Sequence, residues 1–97
     1  MTIIIPHPHS KQEAKKRIEM LIQKYRNEYA AEIKNLKEQW TEYRNNIEVS
    51  AKGYTISANI EIQDGSISII IKVPFLLLPF NKPIKSAIRD NVTKALI

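Results

Sequence analysis

The 97-residue sequence contains no cysteine and only two glycines. Without cysteine there is no disulfide framework, no thiolate zinc site and no cysteine nucleophile. The scarcity of glycine excludes collagen-like chains and flexible linkers, and the lack of an internal repeat excludes a solenoid. The length excludes two-domain enzymes, because one domain usually takes about 100–200 residues. We therefore expect a single domain over residues 1–97 with one modest hydrophobic core.

Long hydrophobic runs and catalytic motifs are also missing. The most apolar stretch, residues 67–80, is interrupted by Ser68, Lys72, Pro74 and Pro79, whereas a membrane-spanning helix needs about 20 apolar residues. No secretory signal is expected, since the N-terminus lacks a basic region and a long apolar core. There is no glycine-rich phosphate loop, no G-x-S-x-G and no H-E-x-x-H motif. We therefore expect a cytoplasmic protein without enzymatic activity or cofactor.

The first part of the chain predicts a short strand followed by a long helix. Thr2–Ile5 is β-branched, and Pro6 ends it. Ser10 and Glu13 form a capping box, which is typical of a helix start. Apolar residues then recur with the 3.6-residue period of a helix ending near residue 29 or 30. These are Ala14, Ile18, Leu21, Ile22, Tyr25 and Tyr29.

After this helix the apolar residues alternate with a period of two, which is typical of half-buried strands. Residues 33–40 fit either a last helical turn followed by a strand, or a strand throughout. Residues 47–51 and 54–63 alternate clearly. Asp64-Gly65 predicts a tight hairpin, and Ile67–Val73 forms the next predicted strand.

The end of the chain predicts an apolar loop over residues 74–83 and a second helix beginning at Ile84. The resulting element order is β-α-β-β-β-β-α. It predicts an α+β fold: an antiparallel sheet of about four to five strands with two helices on one face. A free sheet edge could pair with a second copy, so a homodimer stays open.

The net charge of +5 is distributed unevenly. Residues 11–34 and 72–97 are basic, whereas residues 35–71 are slightly acidic. Basic helices would attract anionic partners, although charged helix faces often serve only solvation. The candidate anion contacts are Lys82, Lys85 and Arg89. No nucleic-acid motif accompanies them, and we expect Trp40 in the core or at its edge, so a nucleic-acid partner is not expected.

The only histidines are His7 and His9, in a segment with prolines at 6 and 8. A metal site would need a third ligand, such as Glu13. Side chains two residues apart in an extended segment point to opposite sides, which disfavours shared coordination. We therefore expect no metal site, with one histidine packing or hydrogen-bonding at the helix start and the other exposed.

The most informative segment is 74–83, where five large apolar side chains lie among prolines. If buried, they would close the end of the sheet beneath the helices. If exposed, they would form an apolar patch of the kind that marks a partner or ligand surface, bordered by Lys72, Lys82 and Lys85. No nucleophile lies there, so such a surface would bind and not catalyse. The candidate apolar contacts are Phe75, Leu76, Leu77, Leu78 and Phe80.

Several motifs together resemble one family. They are His7-Pro8-His9-Ser10 with Glu13-Ala14, Asn35-Leu36-Lys37 with Trp40, Gly53-Tyr54-Thr55-Ile56-Ser57, and Pro74-Phe75 followed by Phe80, Lys82, Ile84, Ile88 and Val92. Over nearly the whole chain, their order and spacing resemble the polyhydroxyalkanoic acid system family, small bacterial proteins also described as polyhydroxyalkanoate granule regulators. The chain departs from the family at Ala58, where glycine is usual, and at Pro79 and Asn81-Lys82-Pro83, where a Phe-Lys-Gly turn is usual.

The resemblance implies a small accessory protein and supplies no catalytic residues. We therefore expect a non-enzymatic protein that binds an apolar surface through residues 74–83. That surface would belong to a polyester granule or to a protein partner. The alternative is a binder of an anionic ligand or nucleic acid through basic helix faces.

Overall fold

A computed structural model describes all 97 residues. Its elements are β1 (Thr2–Pro6), α1 (Lys11–Glu28), β2 (Ile33–Thr41), β3 (Arg44–Ala51), β4 (Tyr54–Gln63), β5 (Ser66–Lys72), a short 3-10 helix (Phe75–Phe80) and α2 (Asn81–Ala95). The five strands form one antiparallel sheet in the order β1-β5-β4-β3-β2. The predicted α+β fold and its order of strands and helices are confirmed.

The first helix begins where the capping box predicts. The Ser10 Oγ accepts a hydrogen bond from the Glu13 backbone N–H at 3.2 Å, which satisfies one of the donors left free at a helix start. Ala14, Ile18 and Ile22 then repeat at intervals of four residues and are buried. The helix thus lays one apolar stripe across the sheet.

The core lies between one face of the sheet and the two helices. Its buried members are Ile3, Ile5, Ala14, Ile18, Ile22, Ile62, Ile67, Ile69, Ile71, Val92 and Leu96. Strand residues alternate between the two faces, so the other face carries the intervening side chains, many of them polar. Both helices therefore cover the same face, as predicted.

Residues 33–41 form a strand and not a helical turn. β2 pairs with β3, so that Leu36 lies opposite Val49 and Trp40 opposite Asn45, with an irregularity between Ile33 and Asn35. Leu36 and Trp40 pack against the core without being fully buried. The prediction that Trp40 lies at the core edge is confirmed.

The prediction of a loop over 74–83, with a helix starting at Ile84, is wrong. Residues Phe75–Phe80 form a 3-10 helix, and α2 begins at Asn81. Proline is compatible with helical φ near a helix start, where the missing N–H has no intrahelical acceptor. Pro83 occupies the third position of α2 and so does not delay its start. Pro79 and Pro83 therefore lie inside helical elements and do not mark a loop.

Candidate apolar binding surface

The 3-10 helix between β5 and α2, called the 75–80 segment below, exposes most of its large apolar side chains. Phe75 is 81% exposed and Leu76 70%, while Leu78 is 44% and Phe80 55% exposed. Leu77 is half-buried. Of the two arrangements that the sequence left open, the structure therefore shows the exposed patch for four of the five candidate contacts. Their role as contacts stays a prediction.

The geometry of the 3-10 helix divides these side chains into three rows. With three residues per turn, side chains at positions i and i+3 lie directly above each other. Phe75 and Leu78 form one exposed row, and Leu76 lies in a second row with Pro79. Leu77 lies in the third row with Phe80 and is the least exposed of the five. The 75–80 segment thus presents a broad apolar side to solvent.

The protein holds this segment through its backbone and not through polar side chains. The Leu77 N–H donates to the Pro74 carbonyl at 2.9 Å, and the Asn81 N–H donates to the Leu78 carbonyl. No side chain caps the 75–80 segment or the start of α2. The Asn81 Oδ1 is buried without a hydrogen-bond partner. No side chain of the 75–80 segment therefore makes a hydrogen bond within the protein.

Basic residues border the segment on both sides in the chain. Lys72 ends β5, and the three candidate anion contacts follow on α2, all of them exposed. They are Lys82, Lys85 and Arg89. None of these four takes part in any of the four ion pairs of the structure. The surface thus combines exposed apolar side chains with unpaired positive charge.

The two histidines follow β1 and lie beside the start of β5, where the His7 N–H donates to the Gly65 carbonyl at 3.0 Å. The prediction that their side chains diverge is wrong. The rings of His7 and His9 stack with centroids 5.9 Å apart. The chain bends here after β1 and is not extended, so the alternation of a strand does not apply. The His9 N–H donates to His7 Nδ1 at 3.1 Å, which brings the two residues together.

Both histidines make hydrogen bonds within the fold and neither is fully exposed, so the prediction that one of them is exposed is wrong. His7 Nε2 lies 2.9 Å from the Gln63 carbonyl, and His9 Nε2 lies 2.6 Å from the Leu96 carbonyl. A carbonyl only accepts, so each Nε2 carries the hydrogen in these bonds. No group of three or more histidine, aspartate or glutamate side chains is placed to hold a metal ion.

Two aromatic rings, those of Trp40 and Tyr43, lie beneath lysines of α1. Lys15 Nζ lies 5.0 Å from the centroid of the Trp40 ring, and Lys11 Nζ lies 4.8 Å from that of Tyr43. These are cation–π distances. The two rings therefore join the sheet to α1 and are not open platforms for a base.

Similarity to known proteins shows which family the chain belongs to. Residues 1–96 match the model of a family described as "Putative polyhydroxyalkanoic acid system protein". The chain belongs to this family. No curated protein and no solved structure matches it. The family resemblance stated from the motifs is thereby confirmed, and the chain is a protein associated with the polyhydroxyalkanoic acid system.

The face of the sheet that the helices leave open is the other large surface of the protein. It holds a shallow depression of about 720 Å³, lined mainly by polar side chains such as Asn46, Ser57 and Asn59. Ile4 and Ile70 are also exposed on this face. Alternation with their buried neighbours predicts this position for both residues. They lie on adjacent strands, where Ile70 is opposite Thr2 and Ile4 is opposite Ser68, so the two side chains are diagonal neighbours.

No helix of this family member is both long and apolar enough to cross a membrane. Four of its ten exposed large apolar side chains lie close together in the short 75–80 segment. The arrangement suits contact with a surface, since six residues of 3-10 helix reach about 12 Å at about 2.0 Å per residue.

Proposed function

We propose that this protein is a small non-enzymatic accessory protein that binds an apolar surface through the 75–80 segment. The observation that carries the proposal is the exposure of Phe75, Leu76, Leu78 and Phe80 on one short element. A contiguous apolar patch on an otherwise polar protein commonly marks an interaction site. The family's association with polyhydroxyalkanoic acid supports a polyester surface, in a cytoplasmic granule, as the partner.

The energetics favour reversible binding. Full burial of one Phe or Leu side chain stabilises an apolar contact by about 1.5–3 kcal/mol. Association opposes this with several kcal/mol of lost translational and rotational freedom. Four partly inserted side chains therefore support binding that can be released, as an accessory or regulatory protein requires.

The proposal is tested by binding to particles of an amorphous polyhydroxyalkanoate. We expect the double variant Phe75→Ser/Leu76→Ser to bind at least about tenfold more weakly than the natural protein, because each inserted side chain contributes more than 1 kcal/mol. Co-sedimentation with the particles measures the bound fraction over a range of particle concentrations.

The matched control is Met20→Ser/Ile97→Ser, which removes two exposed apolar side chains from elsewhere on the surface. It should bind as the natural protein does. Equal binding by all three proteins, or a larger loss in the control, would overturn the proposal. Circular dichroism verifies that each variant keeps its helices and strands.

The alternative function is binding of nucleic acid through the basic side of α2. It draws on the exposed and unpaired Lys82, Lys85 and Arg89. Such binding weakens steeply as salt rises, because counterions are released from the phosphates. Titration with duplex DNA and single-stranded RNA at low and moderate salt decides the matter, and a lack of binding at low salt eliminates this alternative.

A further inference from the structure

We propose that the basic residues around the 75–80 segment bind the anionic headgroups of a phospholipid layer while the segment inserts between the lipids. The inference rests on the proposed function and adds to it the chemistry of the surface. An uncharged polyester would leave the cations without a partner. A layer that is apolar below and anionic above would match both parts of this surface.

The positions of the cations on α2 support this assignment. Lys82, Lys85 and Arg89 are three and four residues apart, and residues at these intervals are neighbours on a helix surface. They form one exposed row beside the stripe that contains Ile88 and Val92, which packs towards the core. The 75–80 segment leads directly into this helix. Apolar and basic groups therefore share one end of the molecule.

Acidic residues are absent from this part of the chain. No aspartate or glutamate occurs between Asp64 and Asp90, a stretch that includes Lys72, the 75–80 segment and the basic row. No side chain from residue 72 to residue 90 makes a hydrogen bond or ion pair, so Lys82, Lys85 and Arg89 have no direct partner within the protein.

The other arginines of the protein differ from Arg89. Three of the four arginines pair with a glutamate: Arg17 with Glu13 at 3.3 Å, Arg26 with Glu38 at 2.8 Å and Arg44 with Glu61 at 3.4 Å. Arg89 alone has no such partner. Arg89 is therefore the one arginine whose charge is not offset by a glutamate within the fold, and it lies on the helix that follows the exposed apolar side chains.

Binding at a membrane interface uses both exposed apolar side chains and basic residues. Helices that lie in a membrane interface bury apolar side chains at the boundary of headgroups and acyl chains, with Lys and Arg on the polar side. The long stems of these cations lie along the apolar region while the charge stays with the headgroups. Three cations near an anionic surface strengthen binding on the order of 100-fold at low salt.

The experiment compares three probes: vesicles of phosphatidylcholine, vesicles of phosphatidylcholine mixed with phosphatidylglycerol, and bare polyhydroxyalkanoate particles. We expect the mixed vesicles to bind most tightly and to release the protein as salt rises. The variant Lys82→Gln/Lys85→Gln/Arg89→Gln should lose roughly 100-fold in affinity for the mixed vesicles. Its affinity for bare particles should change by less than about threefold, because no anion is present there.

A matched variant, Lys16→Gln/Lys34→Gln/Lys37→Gln, removes the same net charge from exposed positions on α1 and β2. It should keep the preference for phosphatidylglycerol. Inorganic phosphate at the same ionic strength as sodium chloride should not compete better than the chloride. Specific competition would indicate a site for a soluble anion and overturn the inference.

The outcomes separate the inference from the proposed function. Equal binding to the two kinds of vesicle would overturn the anionic surface, yet binding to bare particles that depends on Phe75 and Leu76 would leave the proposed function intact. Equal losses of affinity for the mixed vesicles in the two triple variants that remove positive charge would also overturn the inference, because they would indicate general charge attraction. If the basic row bound only an acidic protein partner, both the proposed function and the phospholipid inference would be wrong.

Discussion

The two ends of β5 differ in the contacts that the neighbouring chain makes. At its first end, beside Gly65, polar contacts hold the chain: His7 hydrogen-bonds to the Gln63 carbonyl and His9 to the Leu96 carbonyl. At its second end, after Lys72, the 75–80 segment has no polar side-chain contact and exposes large apolar groups. One end fixes the fold, whereas the other end faces outward.

The same difference runs along α2. Val92 and Leu96, near its C-terminus, are buried, and Arg17 of α1 donates to the Ala95 and Ile97 carbonyls at 3.3 and 3.0 Å. The first half of the helix has no buried residue. A helix that is fixed at one end and exposed at the other can present its exposed half to a partner without endangering the core.

The largest effect that tests this comparison comes from the fixed side of the sheet. Ile67 begins the buried row of β5 and is fully buried. Ile67→Ala should lower the free energy of unfolding by about 2–5 kcal/mol, because it removes apolar contacts and leaves a cavity. Urea denaturation followed by circular dichroism measures the change. A loss below about 1 kcal/mol would mean that the core does not depend on this row.

An intermediate effect is expected at the histidine end. His7→Ala leaves the Gln63 carbonyl and the His9 N–H without their partner, which should destabilise the protein by about 1–3 kcal/mol. The exposed neighbour Gln12 supplies the control Gln12→Ala, for which we expect a change within about 0.5 kcal/mol. Identical unfolding curves for the two variants would show that the histidine contacts do not stabilise this end.

The smallest effect is expected at the apolar end. Phe75→Ser/Leu76→Ser should change the free energy of unfolding by less than about 1 kcal/mol, because both side chains are mostly in solvent and surface changes rarely exceed about 0.5 kcal/mol each. The same denaturation experiment applies. A loss of unfolding free energy as large as that of Ile67→Ala would show that these side chains belong to the core. The two ends of β5 would then not differ in the way described.

Much of the fold could be predicted because local patterns and packing agree. The Ser10 cap, the stripe through Ile18 and Ile22, and the alternation in β4 each specify one element. Their apolar faces then leave few ways to pack. The start of α2 could not be placed, because Pro83 is acceptable both in a loop and in the first turn of a helix.

The candidate site was less predictable. The composition of residues 74–83 identified the important segment, but a run of Phe and Leu has the same sequence whether it is buried or exposed. The answer depended on where the 75–80 segment leaves the sheet, which is a property of the whole fold. The stacking of His7 and His9 also escaped prediction, since it requires the bend after β1.

The most direct test of the account places a fluorescent reporter in the 75–80 segment. Trp40→Phe removes the only natural tryptophan, and Phe75→Trp or Met20→Trp then reports on one position. On binding polyhydroxyalkanoate particles, the account predicts a blue shift of emission at position 75, because the indole enters an apolar surface, and an unchanged spectrum at position 20. Bound protein with an unshifted spectrum at position 75 would contradict it.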